Sequence, residues 1–214
     1  ANIAWWNLDQ LANALYPLIE EAEPMEQILN DYKVDFASKH QQMMKSKLGL
    51  ELEDNDDVLL VNDLENCFEL TEADMTIFFR NLSNYTKDFI LGKEVSFLAP
   101  VIDSFYVPEE IKGEVLELWK KWIQRYLIRL NKENLTDKER QQKMNLVNPK
   151  YVLRNYMAQL AIDEADKGNY GLIDELYQLL KAPYDEQPAK QKWFAKRPEW
   201  ARHKVGCSML SCSS

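Results

Sequence analysis

The side chains best suited to chemistry stand near the end of the chain. Cys207 and Cys212 lie five positions apart in Gly-Cys-Ser-Met-Leu-Ser-Cys-Ser-Ser, a polar stretch in which both thiols are expected to be accessible. Accessible thiols are the ones that exchange and oxidise. A redox pair and two incidental free cysteines are both compatible with these residues. Just before them, Lys190, Lys192, Lys196, Arg197, Arg202 and Lys204 interleave with Trp193, Phe194 and Trp200. Basic residues among aromatics can track a nucleic-acid strand. In a chain of net charge −9 and pI near 4.9 the pattern reads better as a strap, with aromatics docking in grooves and cations meeting an acidic body.

Elsewhere the material for catalysis is missing. Glycines at 49, 92, 113, 168, 171 and 206 cannot be arranged into a Gly-x-Gly-x-x-Gly or a phosphate-cradling loop. There is no Gly-x-Ser-x-Gly elbow, no His-Glu-x-x-His and no Cys-x-x-Cys. The two histidines, His40 and His203, are far apart, which leaves little for a zinc site or a Ser-His triad. Asp54 to Asp57 resembles the start of a calcium loop, but Leu59 occupies the sixth position, where the sharp turn needs Gly. We therefore assign no catalytic, cofactor-binding or metal-ligating residue. Trp119 and Trp122 read as core rather than as a ligand wall, since their spacing is what an amphipathic helix requires.

The elements that must hold the tail are helical. Six glycines and eight prolines in 214 residues are few for a turn-rich β protein, and 46% apolar with 29% charged residues suits a globular one. Asn7 is a plausible cap for a first helix carrying Leu8, Leu11, Ala12 and Leu15, interrupted at Pro17. A longer helix spans about Pro24 to Lys47 and is closed by Gly49. Between Leu48 and Phe79 there is no Lys or Arg. Within that stretch one helix begins near Asp57 and another at Thr71, paired with Asp74 in a near-capping box. Residues 83–107 read as loop with short helical turns, and Pro108 opens a helix with an aromatic face. Thr136 and Glu139 form a capping box. Asn148-Pro149 to Gly168 predicts a helix of about 19 residues and roughly 28 Å, taken as the centre of the fold. A last helix carries Leu172 to Leu180 and stops at Pro183. Short connections predict antiparallel neighbours, so the fold class is all-α, with a helical domain at 1–182 and a tail at 183–214.

These residues resemble the selenoprotein O family of kinase-like protein adenylyltransferases. The resemblance rests on Trp6-Asn7-Leu8 with Leu11-Ala12 and Pro17; on Glu139-Arg140-Gln141-Gln142; on Asn148-Pro149 with Tyr151 to Asn155; on Ala158-Gln159 with Ala161-Ile162; on Arg197-Pro198 with Trp200; and on Cys212-Ser213-Ser214. It implies that the chain is the carboxy-terminal helical part of a kinase-like fold, in keeping with its start at Ala1 without an initiator Met. The parent is then expected to use ATP and Mg (or Mn) to transfer AMP to hydroxyl side chains of protein substrates, with catalytic residues upstream. The expected partners are that upstream catalytic lobe and the substrate proteins. The resemblance also implies that Cys212 is a redox partner for a cysteine in the absent activation segment. Cys207 departs from the family pattern and leaves a local Cys207–Cys212 disulfide as the other possibility.

The alternative function is a freestanding helical adaptor without activity. Neither nucleic acid nor membrane is expected as a partner, because the chain is acidic and no apolar run approaches the ~20 residues of a span. Three cysteines are too few for a secreted disulfide framework, which points to a reducing, cytoplasmic setting.

Overall fold

The computed structural model describes residues 2–92, 94–205 and 207. Among the described residues eight α-helices run in order: α1 (Asn2–Ile19), α2 (Glu23–Leu48), α3 (Asp57–Glu69), α4 (Met75–Leu82), α5 (Gly113–Leu130), α6 (Asp137–Val147), α7 (Asn155–Ala165) and α8 (Gly171–Leu180). Short 3-10 turns fill the α4–α5 connection and the tail. No strand or sheet occurs among the described residues, so the fold is all-α as the composition implies. The chain divides into two compact units, Ala1–Lys45 and Ser46–Ser214.

The second unit is built around α5. Trp119, Trp122, Ile123, Tyr126 and Leu130 face inward from it at three- and four-residue steps and are fully buried. Phe78 of α4 meets Trp119 at 5.5 Å between ring centroids and Phe68 of α3 edge-on at 4.8 Å. The Trp122 ring stacks on Tyr126 at 5.3 Å. Two of the rings find backbone acceptors: Trp122 Nε1 donates to Leu60 O at 2.9 Å and Tyr126 Oη to Leu48 O at 2.9 Å. Both tryptophans are thus core, as their spacing predicts. Gly49 ends α2 at φ +72°, and the capping box at Thr136 closes in both directions at 2.9 and 3.3 Å.

Four local expectations are corrected. Pro17 does not end α1, which runs on to Ile19 and turns at Glu20, φ +58°. A proline in the last turn removes only one hydrogen bond, so the helix persists. Asp74 rather than Thr71 caps α4, accepting from Ile77 N at 3.0 Å. Pro108 opens a 3-10 turn (Pro108–Glu110), and α5 itself starts at Gly113.

The fourth concerns the helix taken as central. Asn148 caps the carboxy-terminal end of α6 instead of opening a helix, and residues 148–154 are non-helical, with Asn148 and Arg154 in extended conformation. The Asn148 amide donates to Lys47 O at 2.9 Å. Backbone N–H groups of Lys150 and Tyr151 both donate to Pro183 O, at 2.8 and 3.0 Å. Arg154, extended, makes a two-point ion pair with Asp74, with one contact at 3.0 Å. Tertiary partners satisfy these backbone groups better than a helix would, and α7 starts only at Asn155.

Candidate functional site

The tail from Pro183 lies across the body of the second unit as a strap, as its basic and aromatic pattern predicts. Arg80 anchors its start. Its guanidinium donates to Asn145 O and Asn148 O at 2.9 Å each and to Tyr184 O at 3.1 Å, and pairs with Glu186 at 2.8 Å. Lys150 also pairs with Glu186. Gln187 donates to Leu179 O and Ala182 O, clamping the strap to the end of α8.

The middle is held by Glu175. Its carboxylate accepts from Trp193 Nε1 at 2.8 Å and pairs with Lys192 at 2.9 Å, while Lys190 reaches the Glu175 carbonyl at 3.1 Å. Farther on, Arg197 and Arg202 converge on Glu72, and Lys204 pairs with Asp163 at 3.0 Å. The Arg197 N–H donates to Tyr106 Oη at 3.2 Å. Trp200 lies edge-on to Tyr156 at 6.3 Å.

Under the strap is an apolar cluster. Tyr151, Tyr156, Met157 and Ala161 come from α7 and the segment before it, Leu176 and Leu179 from α8, and Trp193, Ala201 and Cys207 from the strap itself. Cys207 is only 5% exposed and unpaired with any described cysteine. This corrects the expectation that its thiol is accessible: the chain folds back beyond Trp200 and packs the side chain like a small hydrophobe. Cys212 lies outside the described residues, and so does any pairing with it.

The charges here are committed to structure. Lys192, and then the Trp193 indole, hold the Glu175 carboxyl below its usual range. Lys150 does the same for Glu186 against an opposing effect of burial. Gln159 and Lys204 do so for Asp163. A carboxylate fixed in its ionised form beside a cation is poorly placed to act as a general acid or base near pH 7. The remaining cysteine, Cys67 of α3, is buried, and burial with the Asp63 charge pushes its thiol up to about 11, leaving it inert.

Away from the strap, the acidic stretch is likewise occupied. Asp57 is buried against Arg129, which donates Nε to its Oδ1 at 2.7 Å, and Glu133 receives Arg129 Nη1 at 2.7 Å. Sequence reasoning saw Asp57 only as an acid at a helix start and missed the partner 72 positions on. It also missed Arg80, for which a signal existed: it is the first cation after the run without Lys or Arg. No group of three or more His, Cys, Asp or Glu side chains capable of holding a metal ion occurs among the described residues.

Against known proteins, a family model for protein adenylyltransferase SelO matches residues 1–181. Over 212 residues the chain is 58% identical to a protein nucleotidyltransferase YdiU of Flavobacterium johnsoniae, covering 99% of this chain and 40% of the relative. Proteins of the same name from Rhodopirellula baltica and Aromatoleum aromaticum are 45% and 43% identical, again over nearly the whole chain and 41% and 39% of their own lengths. The chain thus spans about two fifths of these relatives. The family model stops at 181, whereas the first alignment covers 99% of the chain and so extends into the sequence of the strap.

Proposed function

This chain belongs to the protein adenylyltransferase SelO family, and we propose that it is the carboxy-terminal helical portion of a longer enzyme that transfers AMP from ATP to Ser, Thr or Tyr hydroxyls of other proteins. The observation that carries the proposal is 58% identity across 99% of the chain to a relative named as a protein nucleotidyltransferase. Similarity of that extent is also what disfavours a freestanding adaptor.

ATP and a divalent metal, Mg or Mn, are assigned to the parent and not to this segment. The residues here do not fit either group. The sequence carries no glycine-rich phosphate-binding motif, and the carboxylates discussed above face arginines and lysines of the same chain. The segment's own role is to buttress a kinase-like catalytic lobe and to hold the strap in place. Redox sensitivity is assigned to Cys212, through a cysteine elsewhere in the parent, because Cys207 is packed in the cluster. The setting proposed is the cytoplasm. Among the described residues no helix is long and apolar enough to cross a membrane.

Calorimetric titration with ATP and Mg should give no binding to this 214-residue chain. The full-length protein should label substrate proteins with the AMP moiety of α-labelled ATP. Tight ATP binding by the segment alone would refute the division of labour. Absence of labelling by the full-length protein would refute the assigned activity. Oxidation should change that labelling, and Cys212→Ser should abolish the change.

A further inference from the structure

Two buried arginines of the second unit meet carboxylates of their own: Arg129 meets both Asp57 and Glu133, and Arg140 meets Asp137. Arg80 and Lys150 lie as deep, at 6% and 8% exposure, yet they share one carboxylate, that of Glu186. Among the described residues no other acid pairs with either. Glu186 Oε1 accepts from Arg80 Nη2 at 2.8 Å, and Oε2 pairs with Lys150 Nζ. The Glu186 side chain is itself 63% exposed, so two buried cations face a single anion that solvent can reach. Both cations have further supports. Arg80 Nη1 donates to Asn145 O and Asn148 O at 2.9 Å each, which fixes the guanidinium fork. The Lys150 ammonium lies over the rings of Phe194 at 5.3 Å and Tyr151 at 5.7 Å. All of these residues belong to the second unit.

We propose that Arg80 and Lys150 form a binding site for a phosphate group, inorganic or carried as a monoester, and that Glu186 of the strap occupies it as a stand-in. Charge selects this ligand. A carboxylate leaves one of the two positive charges unmatched, whereas a phosphate group carries about −1.5 to −2 near neutral pH. Geometry agrees, since a guanidinium fork beside a point-like ammonium suits phosphate oxygens as well as it suits the two oxygens of a carboxylate. A third cation lies close by: Lys47 Nζ donates to Asn148 Oδ1 at 3.3 Å, and no carboxylate among the described residues pairs with it. The exposed position of Glu186 lets a ligand displace it from the solvent side, while its attachment to the chain makes it a competitor at high effective concentration. Phosphate binding and the seating of the strap's first residues are therefore mutually exclusive. The site is separate from any nucleotide site of the parent and does not depend on AMP transfer.

The test follows acetylation of Lys150 by N-hydroxysuccinimidyl acetate in the full-length protein, located by peptide mass spectrometry. Glu186→Gln should speed the reaction at Lys150, and inorganic phosphate or O-phosphoserine should slow it again by about tenfold as the site fills. Acetate at the same ionic strength should do far less, and exposed Lys167 should respond to none of them. Protection by inorganic phosphate alone assigns the site to free phosphate, and protection by O-phosphoserine extends it to monoesters. No protection by either, or equal protection by acetate, would overturn the proposal. Arg80→Lys added to Glu186→Gln keeps the charge and loses the fork, so it should weaken the protection; undiminished protection would remove Arg80 from the site. A second measurement needs no variant: phosphate in place of chloride should raise hydrogen exchange of residues 184–187 in the unaltered protein. Unchanged exchange there would refute the role of Glu186 as stand-in.

Discussion

Removing Arg129 gives the sharpest test of how the second unit is held together. Its guanidinium donates Nε to Asp57 at 2.7 Å, Nη1 to Glu133 at 2.7 Å and Nη2 to Leu52 O at 2.6 Å. All three charged side chains are 5% exposed or less. Burial works against the Arg129 charge, and the hydrogen bonds it donates to Asp57 and Glu133 outweigh it, holding its pKa above the ordinary value. Arg129→Met keeps most of the side-chain volume and leaves the buried Asp57 and Glu133 carboxylates without the Arg129 cation. Breaking a buried pair from one side costs about 3–5 kcal/mol. For a unit of this size that is a fall in melting temperature of roughly 6–20 °C. Urea denaturation followed by tryptophan fluorescence and thermal melting by circular dichroism both read it. The internal control is Arg125→Met, whose pair with Asp63 is a quarter to a third exposed and should contribute under about 1 kcal/mol. The triple change Arg129→Met, Asp57→Asn, Glu133→Gln should recover part of the loss, because it removes the orphaned charges. A loss for Arg129→Met no larger than that for Arg125→Met would refute this account of the network.

Acid should loosen the strap first. Glu175, Glu186 and Asp163 are held below their usual carboxylate range when folded, so their contribution is complete above the unfolded values near 4 and is lost as pH falls through the folded ones. Hydrogen exchange of residues 188–205 should rise below about pH 4 before that of α5, and simultaneous loss would argue against separate attachment. Gly49→Ala should destabilise by about 1–3 kcal/mol in urea, because φ is +72° and a Cβ would come within 2.8 Å of Met144 Sδ and 2.9 Å of Arg140 Cγ. A neutral result would show that α6 shifts freely. Cys67 and Cys207 should resist iodoacetamide at pH 8 for minutes and react promptly in urea, being buried. Rapid alkylation of Cys207 in the native chain, located by mass spectrometry, would contradict its place in the cluster.

Local signals in the sequence were sufficient wherever the neighbours that decide a conformation lie within a few residues. The Thr136–Glu139 capping box, the Gly49 stop, the aromatic stripe of α5 and the composition that excludes a sheet are of this kind, and each is found as read. The strap was legible too, because alternating cations and aromatics in an acidic chain leave few other places for it to go. What the sequence could not reveal are the choices made by partners far along the chain. Asn148-Pro149 has the chemistry of a helix start, yet Lys47, Pro183 and Asp74 take up the groups around it, and the helix begins seven residues later. Cys207 reads as a thiol in a polar terminus, yet Trp193, Ala201 and the α7–α8 pair enclose it. Asp57 shows its helix and not its arginine. A backbone group or a charge settles with whichever partner desolvates it at least cost, and only the folded chain brings those partners within reach.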